Sequence, residues 1–341
     1  MIKKAKISWT FLLGIFVWMS CSKDQGSVDY SLRYPDYFPA PIYPTARNPI
    51  TKKGFELGRA LFHDPILSVD STISCASCHS QGHAFADQNV SLSTGVYGRV
   101  GPRNSPSIIN TAWQSNFMWD GGVNHIEVVP VAPITNHLEM DESIKNLVYK
   151  LNQNPKYLSR FKQAFDVEKV DDQKVFFALA QYMSMLVSAD AKYDMVQQGK
   201  ATFTSDEALG YTIFNEKCGS CHREPLFTDY SYSNNGLSII GMDLGRYTVT
   251  LLDQDKHKFK VPTLRNIQFT YPYMHDGRFS SIAQVLNHYS NDMASHENLD
   301  QRLVNGDKVG IALTIEDKKH VEAFLKTLSD FTFISDPKLS E

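Results

Sequence analysis

The sequence lacks several features that would place the protein in a specialised class. Its 341 residues contain no long run of like charges and carry a net charge of only −3, so nothing in the sequence points to a nucleic-acid partner. Nineteen glycines and 15 prolines are near average usage, which excludes collagen-like and low-complexity chains. With 42% hydrophobic and 21% charged residues, the composition is that of a globular protein of about two domains.

Cysteine is scarce, and its placement is more informative than its number. Of the five cysteines, four lie in two C-x-x-C-H motifs, Cys75–His79 and Cys218–His222. The fifth, Cys21, follows the only strongly apolar segment of the chain. This distribution does not suggest a disulfide framework.

The N-terminus has the pattern of an export signal. Three lysines within the first six residues precede the apolar stretch Ile7–Met19, and Cys21 comes two residues later. The apolar stretch is too short for a confident transmembrane helix, so we predict a signal peptide over residues 1–21. A cysteine at this junction resembles the lipobox of bacterial lipoproteins, where its sulfur is lipidated; plain secretion with an incidental cysteine is the alternative. Residues 22–50 are predicted to be a tether and lead-in, and the body to be exported to the periplasm or cell envelope.

Each C-x-x-C-H motif is typical of c-type haem attachment. We therefore call Cys75–His79 the first haem motif and Cys218–His222 the second haem motif. Two thiols bond to the two vinyl groups of the porphyrin, and the adjacent histidine, His79 or His222, supplies the proximal ligand of the iron. A redox dithiol and half of a zinc site are the alternatives, but two complete motifs in an exported chain favour haem. The sequence therefore predicts two covalently bound haem c groups, attached at Cys75, Cys78, Cys218 and Cys221.

Further motifs recur at a constant offset, which indicates two related halves. Pro106–Asn110 pairs with Pro262–Asn266, and Trp119–Gly121 pairs with His275–Gly277, all at an offset of 156 residues. The apolar spacing before both haem motifs is helical, and a capping box precedes the second one. We predict a mainly α-helical protein built of two tandem cytochrome-c-like haem domains related by internal duplication.

Together these residues resemble the bacterial di-haem cytochrome c peroxidase and MauG family. The resemblance runs from about Phe55 to Leu328, and it is carried by both haem motifs and by Gly101–Asn104, Phe117–Gly121, Leu138–Met140, Pro262–Asn266 and Tyr273–Gly277. It implies an N-terminal peroxidatic haem domain over residues 51–168 and a C-terminal electron-transfer haem domain over residues 169–335. It further implies that hydrogen peroxide is reduced at the first haem, while a small redox protein or another donor supplies electrons to the second. A homodimer is one assembly that it allows.

The resemblance assigns acid–base chemistry at the first haem to Glu139, which stands twenty residues after Trp119. Cleavage of peroxide needs a base for one proton and an acid for the departing hydroxide. A solvated glutamate before a helix is the alternative. Trp119 matches the tryptophan that relays electrons between the haems, although a core tryptophan would look the same in the sequence. Val129 replaces the family's usual glutamine ten residues after Trp119, so a polar group that positions peroxide is missing.

The resemblance also makes an expectation about the distal ligand of each haem iron. Tyr289 matches the distal ligand of the second haem, where many family peroxidases have Met and MauG-type members have Tyr; Met274 or Met293 is the alternative ligand. Many relatives close the first haem with a histidine five residues before the Gly-Pro pair, and Val96 stands there. Since valine cannot bind iron, we expect the first haem to be open to peroxide in the oxidised protein.

One calcium ion between the haems is implied by the same resemblance. Its ligands would be the side chain of Asn104 and the backbone carbonyls of Thr270 and Pro272. Oxygen ligands of this kind, completed by water, suit a hard cation.

Three functions remain open on the sequence. The first is a peroxidase that reduces hydrogen peroxide to water. The second is MauG-like oxidation of a protein or small substrate, which Tyr289 favours, although such relatives carry a surface tryptophan where this chain has Glu216. The third is a membrane-anchored electron carrier, which would leave Glu139 without a role.

Overall fold

The computed structural model describes residues 30–43, 45–87, 89–239 and 243–341. The predicted signal peptide and Cys21 lie outside these residues. The described part is mainly α-helical, as predicted, with helices joined by long loops. Its α-helices are α1 (Lys52–His63), α2 (Cys75–Cys78), α3 (Val131–Thr135), α4 (Ile144–Asn152), α5 (Pro155–Phe165), α6 (Asp172–Ser184), α7 (Lys192–Gln197), α8 (Ser205–Lys217), α9 (Tyr247–Thr250), α10 (Ile282–Asn287) and α11 (Ile315–Lys326).

Short elements complete the described part. Strands β1 (Tyr232–Ser233) and β2 (Phe259–Lys260) form one antiparallel pair, and β3 (Val304–Asn305) and β4 (Lys308–Val309) form another. A π-helical turn over His288–Asp292 follows α10 directly. The 3₁₀ turns cover Pro65–Leu67, Gln81–His83, Val96–Gly98, Thr111–Trp113, Asp253–Asp255, Gln301–Leu303 and Phe333–Ser335. No helix in the described ranges is both long enough and apolar enough to span a membrane.

The helix before each haem motif packs closely against a later helix. Helix α1 packs against α6, and α8, which carries the predicted capping box of Thr204 and Glu207, packs against α11. A glycine lies at each crossing: a Cβ on Gly58 would stand 1.9 Å from the Ala178 carbonyl oxygen, and one on Gly210 would stand 1.9 Å from that of His320. A Leu-Gly pair occurs in both helices, as Leu57–Gly58 and Leu209–Gly210. Its glycine allows each helix to approach the backbone of its partner helix.

The apolar side chains of the described residues form two cores. Helix α6 lies in the first core through Val175, Leu179 and Tyr182, whereas the prediction had placed it after the boundary at 168/169. The second core begins with Tyr193, and Leu226, Phe333 and Leu339 from later in the chain also lie in the first core. Helix α6 is apolar nearly all round, and packing against α1 decides its domain.

Within residues 30–43 and 45–50, part of the predicted tether and lead-in packs against the body. Phe38 and Tyr43 are buried in the first core, and the Trp113 indole N–H donates to the carbonyl of Pro39 at 2.7 Å. Phe38 also lies beneath the guanidinium of Arg265, which is 4.9 Å from its ring centroid. The segment therefore contacts residues of both halves.

Backbone features recur at the offset seen in the sequence. Phe117 pairs with Val123, and Tyr273 pairs with Phe279, each in an isolated antiparallel bridge. The residue after each first partner has a positive φ, 67° at Met118 and 76° at Met274. The same turn thus forms twice, 156 residues apart, in agreement with the predicted relation between the halves.

Candidate haem and peroxide site

The first haem motif folds as the short helix α2 followed by His79. The Nδ1 atom of His79 lies 2.9 Å from the carbonyl oxygen of Phe85. A bond to this carbonyl fixes the tautomer with the proton on Nδ1 and leaves Nε2 as the metal-binding atom. Burial lowers the pKa of His79, which favours the neutral imidazole that iron requires.

The second haem motif repeats this arrangement at the end of α8. Nδ1 of His222 lies 3.1 Å from the carbonyl oxygen of Phe227, and burial lowers the pKa of His222 as well. In both histidines, Nδ1 therefore faces a backbone carbonyl and burial lowers the pKa. Both favour a neutral imidazole whose Nε2 atom is available to bind iron.

The four thiols fit haem attachment better than redox chemistry. None of them forms a disulfide. Burial raises the pKa of Cys75 and of Cys218 to about 12 and that of Cys78 to about 11 in the polypeptide. A redox dithiol needs a lowered pKa to expose a thiolate, so these environments argue against that alternative. Among the residues that the structure describes, no cluster of three His, Cys, Asp or Glu side chains is arranged as a metal site.

Glu139 lies beside the first haem motif. Its charge acts on both Cys75 and Cys78 and contributes to the raised pKa of each thiol. The side chain keeps contact with solvent, yet enough protein surrounds the carboxylate for burial to raise its own pKa. The tertiary structure therefore places Glu139 within electrostatic range of the first haem motif.

The loop of residues 93–100, which we call the Val96 loop, packs on the backbone of Glu139. The Val96 N–H donates to the Glu139 carbonyl at 2.8 Å, and the Val96 side chain is buried. Gly95 lies so close that an added Cβ would stand 2.2 Å from the Leu138 carbonyl oxygen. Arg99 closes the contact by binding the His137 carbonyl and the Asp141 carboxylate, each at 2.7 Å.

Trp119 lies at the junction of the two halves. Its indole N–H donates to the carbonyl of Asn104 at 2.8 Å, and its own carbonyl accepts from the N–H of Lys260 on β2 at 2.7 Å. The Asn104 N–H donates in turn to the carbonyl of His275 at 2.7 Å. The backbone of Asn104 therefore connects the Trp119 turn with the equivalent turn of the second half.

An ionic network that the sequence did not reveal supports this junction. Arg103 binds Asp120 at 2.6 Å and Asp243 through two bonds of 2.8 Å. Its guanidinium lies 5.6 Å from the centroid of the Phe259 ring, which is stacked on His275. Arg103 was visible only as the variable residue of a Gly-Pro-x-Asn motif, and its distant partner Asp243 carried no sequence signal.

Tyr289 lies near the second haem motif, on the π-helical turn after α10. Burial is the largest of the causes that raise its pKa to about 12, and both Cys218 and Cys221 contribute. The side-chain nitrogen of Asn235 lies 3.4 Å from the Tyr289 hydroxyl and 3.4 Å from the sulfur of Met274. π-helical turns are frequent at functional sites. Tyr289 and Met274 therefore both stay candidates for the distal ligand, and Asn235 is a neighbour that the sequence analysis missed.

The remaining predicted residues have structural surroundings that do not decide their roles. The side-chain nitrogen of Asn104 donates to the carbonyls of Ser91 and Val90 at 3.0 and 3.3 Å. The calcium site with Thr270 and Pro272 stays a prediction. Val129 packs against the first core, in keeping with its apolar side chain.

Two prepared histidines, each next to a pair of free thiols, define the class of protein: a c-type cytochrome with two haem sites on a helical scaffold. Comparison with known proteins is more specific. The sequence model of the family described as di-haem cytochrome c peroxidase matches residues 52–202. The chain is 35% identical to the methylamine utilization protein MauG of Methylophilus methylotrophus over 275 residues, which cover 78% of this chain and 79% of that protein.

Two further relatives agree. Cytochrome c551 peroxidase of Nitrosomonas europaea is 33% identical over 280 residues, covering 80% of this chain and 79% of its own. The crystal structure of a MauG-like protein associated with microbial copper homeostasis superposes with a TM-score of 0.79 at 31% identity, covering 90% of this chain and 97% of that one. The chain therefore belongs to the di-haem cytochrome c peroxidase and MauG family, a family of haem oxidoreductases.

Proposed function

We propose that this protein reduces hydrogen peroxide to water at the N-terminal haem site, with electrons taken from a small redox protein through the C-terminal haem site. The position of Glu139 carries the proposal, because the charge of this carboxylate acts on both Cys75 and Cys78, and the Val96 N–H binds the Glu139 carbonyl. An electron carrier needs no acid–base group at this place. The membership of the family and the cytochrome c peroxidases among its relatives support the same reaction.

The residues divide the work as follows. The haems, once attached to the four cysteines, supply the redox-active iron. Glu139 would take a proton from one peroxide oxygen and give it to the other, which departs as water when the bond between the two oxygens breaks. Trp119, bonded to Asn104 and Lys260 at the junction, offers an aromatic ring between the two halves.

Because Val96 cannot bind iron, we expect the fully oxidised protein to react with hydrogen peroxide without prior reduction. Rapid mixing of the fully oxidised protein with hydrogen peroxide should change the Soret band at once, and steady-state turnover with a reduced small cytochrome should follow. An oxidised protein with only low-spin ferric EPR signals that reacts only after one-electron reduction would contradict the open site. Absence of donor oxidation under any of these conditions would contradict the peroxidase.

MauG-like oxidation of a protein or small substrate is the second candidate. Tyr289 near the second haem motif favours it, as does the similarity to MauG. Glu216 argues against it, because this exposed residue is ion-paired with Lys217 at 2.7 Å where a surface tryptophan would be expected. Product analysis after addition of peroxide without a cytochrome donor distinguishes the two candidates.

Location and assembly complete the proposal. Cys21 would be lipidated after export, so that the body is held to a membrane of the cell envelope. One calcium ion would lie between the haems on Asn104, Thr270 and Pro272, and two chains would associate as a homodimer. Metabolic labelling with a fatty acid in a Cys21→Ser variant, metal analysis and sedimentation test these three points separately.

A further inference from the structure

Asn136 uses both ends of its side-chain amide next to Glu139. Its Oδ1 accepts the backbone N–H of Leu138 at 3.0 Å, and its Nδ2 donates to Oε1 of Glu139 at 2.7 Å. Because an N–H group occupies Oδ1, the orientation of the amide is fixed, and Nδ2 is the atom that must face the carboxylate. The bond to Oε1 leaves Oε2 to exchange a proton.

The backbone of the same segment is held in place as well. The carbonyl of Asn136 accepts the N–H groups of Glu139 and Asp141, both at 3.0 Å, and the carbonyl of Glu139 accepts the N–H of Val96. Donor and carboxylate therefore belong to one rigid turn between α3 and α4. The Asn136–Glu139 bond does not depend on a flexible approach of two distant elements.

Few charged groups face this carboxylate. The thiols of Cys75 and Cys78 become neutral thioethers when haem is attached, and Arg99 is paired with Asp141 at 2.7 Å. Burial raises the pKa of Glu139, and the hydrogen bond from Asn136 opposes this rise. The hydrogen bond from Asn136 is thus the contact that favours the charged form of the Glu139 carboxylate.

We infer that Asn136 is a positioning residue that keeps the Glu139 carboxylate charged and oriented for proton transfer from peroxide. The inference rests on the proposed function, since it assigns to Asn136 a role in the reaction of Glu139. Asn136 acts through Glu139 and does not itself exchange the proton. It therefore controls the lowest pH at which Glu139 can act as a base.

The variant Asn136→Ser tests this role, because serine retains an acceptor for the Leu138 N–H but has no donor long enough to reach Glu139. Loss of the donor raises the pKa of Glu139. The acid limb of the second-order rate of the oxidised holoprotein with peroxide should therefore move to higher pH, by about half a unit to one unit. In the infrared spectrum, the protonated carboxyl band that disappears in Glu139→Gln should titrate at the same higher pH.

Asn154→Ser is the matched control. Asn154 accepts the N–H of Lys156 at 3.0 Å, in the same pattern as Asn136 and Leu138, but it caps α5. Its substitution should leave the acid limb unchanged. In a Glu139→Gln background, Asn136→Ser should cause no further change in pH dependence.

The outcomes separate the two claims. An unchanged acid limb and infrared titration in Asn136→Ser, with Glu139→Gln inactive, would overturn the role of Asn136 and leave the proposed function intact. Full peroxide reactivity in Glu139→Gln would overturn the proposed function itself.

Discussion

Glu139 combines two properties that an acid–base group at a peroxide site requires. It is close enough to the first haem motif for its charge to act on both thiols, and burial of the carboxylate raises its pKa. Its neighbour Glu142 has a different environment, because it is buried and paired with Lys150 at 2.7 Å. The environment, and not the residue type, distinguishes the two carboxylates.

The variant Glu139→Gln should retain both haems and reduce peroxide turnover by about 10²- to 10⁴-fold, since it removes a positioned acid–base group and preserves the size of the side chain. Steady-state turnover and haem content provide the measurement. A control variant at the exposed Glu216, Glu216→Gln, should turn over peroxide like the parent protein. Equal turnover in Glu139→Gln and the parent protein would mean that Glu139 is only a surface residue.

The variant Tyr289→Phe should change the ferric EPR spectrum of the second haem, because it removes the proposed oxygen ligand. The iron should become high-spin, or it should recruit Met274, whose thioether would raise the reduction potential. Tyr273→Phe is the control, since the Tyr273 hydroxyl bonds the Ile267 carbonyl at 2.9 Å. A low-spin signal that persists unaltered in Tyr289→Phe would transfer the role to Met274 or another residue.

At the scale of elements, the Val96 loop and the turn carrying Glu139 behave as one unit. Backbone bonds join Val96 to Glu139, and Arg99 binds both His137 and Asp141. Gly95 permits this contact because a larger residue would collide with backbone atoms. The loop therefore contributes to the position of Glu139.

The variant Gly95→Ala should lower the free energy of unfolding by about 1–3 kcal/mol, because the added methyl group has no room beside Leu138 and Glu139. The peroxide rate should fall with it, since Glu139 is displaced. Gly101→Ala is the matched control, because nothing lies within 4 Å of its added Cβ. Denaturant unfolding of both variants checks the difference, and equal stabilities would show that the loop is not tightly packed.

At the scale of the whole molecule, one buried ion pair connects the lead-in segment with the second core. Arg265 and Asp194 are fully buried and joined by two bonds of 2.8 and 2.9 Å, and the Tyr37 hydroxyl donates to the same carboxylate at 2.6 Å. Burying both charges is costly unless each is fully satisfied. Asp194 and Arg265 both belong to the second half, and Tyr37 reaches them from the lead-in segment, so the contact of all three forms only when the lead-in segment is docked.

The variant Asp194→Ala should lower the free energy of unfolding by about 3–5 kcal/mol, because it leaves the Arg265 guanidinium buried without its partner. Glu316→Ala provides the comparison, since the Glu316–Lys319 pair is exposed and should contribute less than about 1 kcal/mol. Urea denaturation of both variants measures the difference. Similar small losses would mean that solvent or another group compensates Arg265.

The sequence predicted the parts of this protein that depend on short-range spacing. A C-x-x-C-H motif places two thiols and one imidazole within a single turn, so the haem sites follow from five consecutive residues. The 156-residue offset predicted the recurring turns, and Met118 and Met274 have the same left-handed backbone. Helix start signals such as Thr204 and Glu207 also act over a few residues.

Tertiary structure decided what depends on contacts between distant segments. Helix α6 could have joined either half by its composition, and packing against α1 placed it in the first core. Residues 30–50 had the composition of a tether, yet Phe38 and Tyr43 are buried against partners far along the chain. The sequence by itself determined the covalent haem chemistry because that chemistry is local. Only the tertiary structure brought Val96 to Glu139 and placed Glu139 within electrostatic range of Cys75 and Cys78, since the free energy of those contacts exists only in the folded chain.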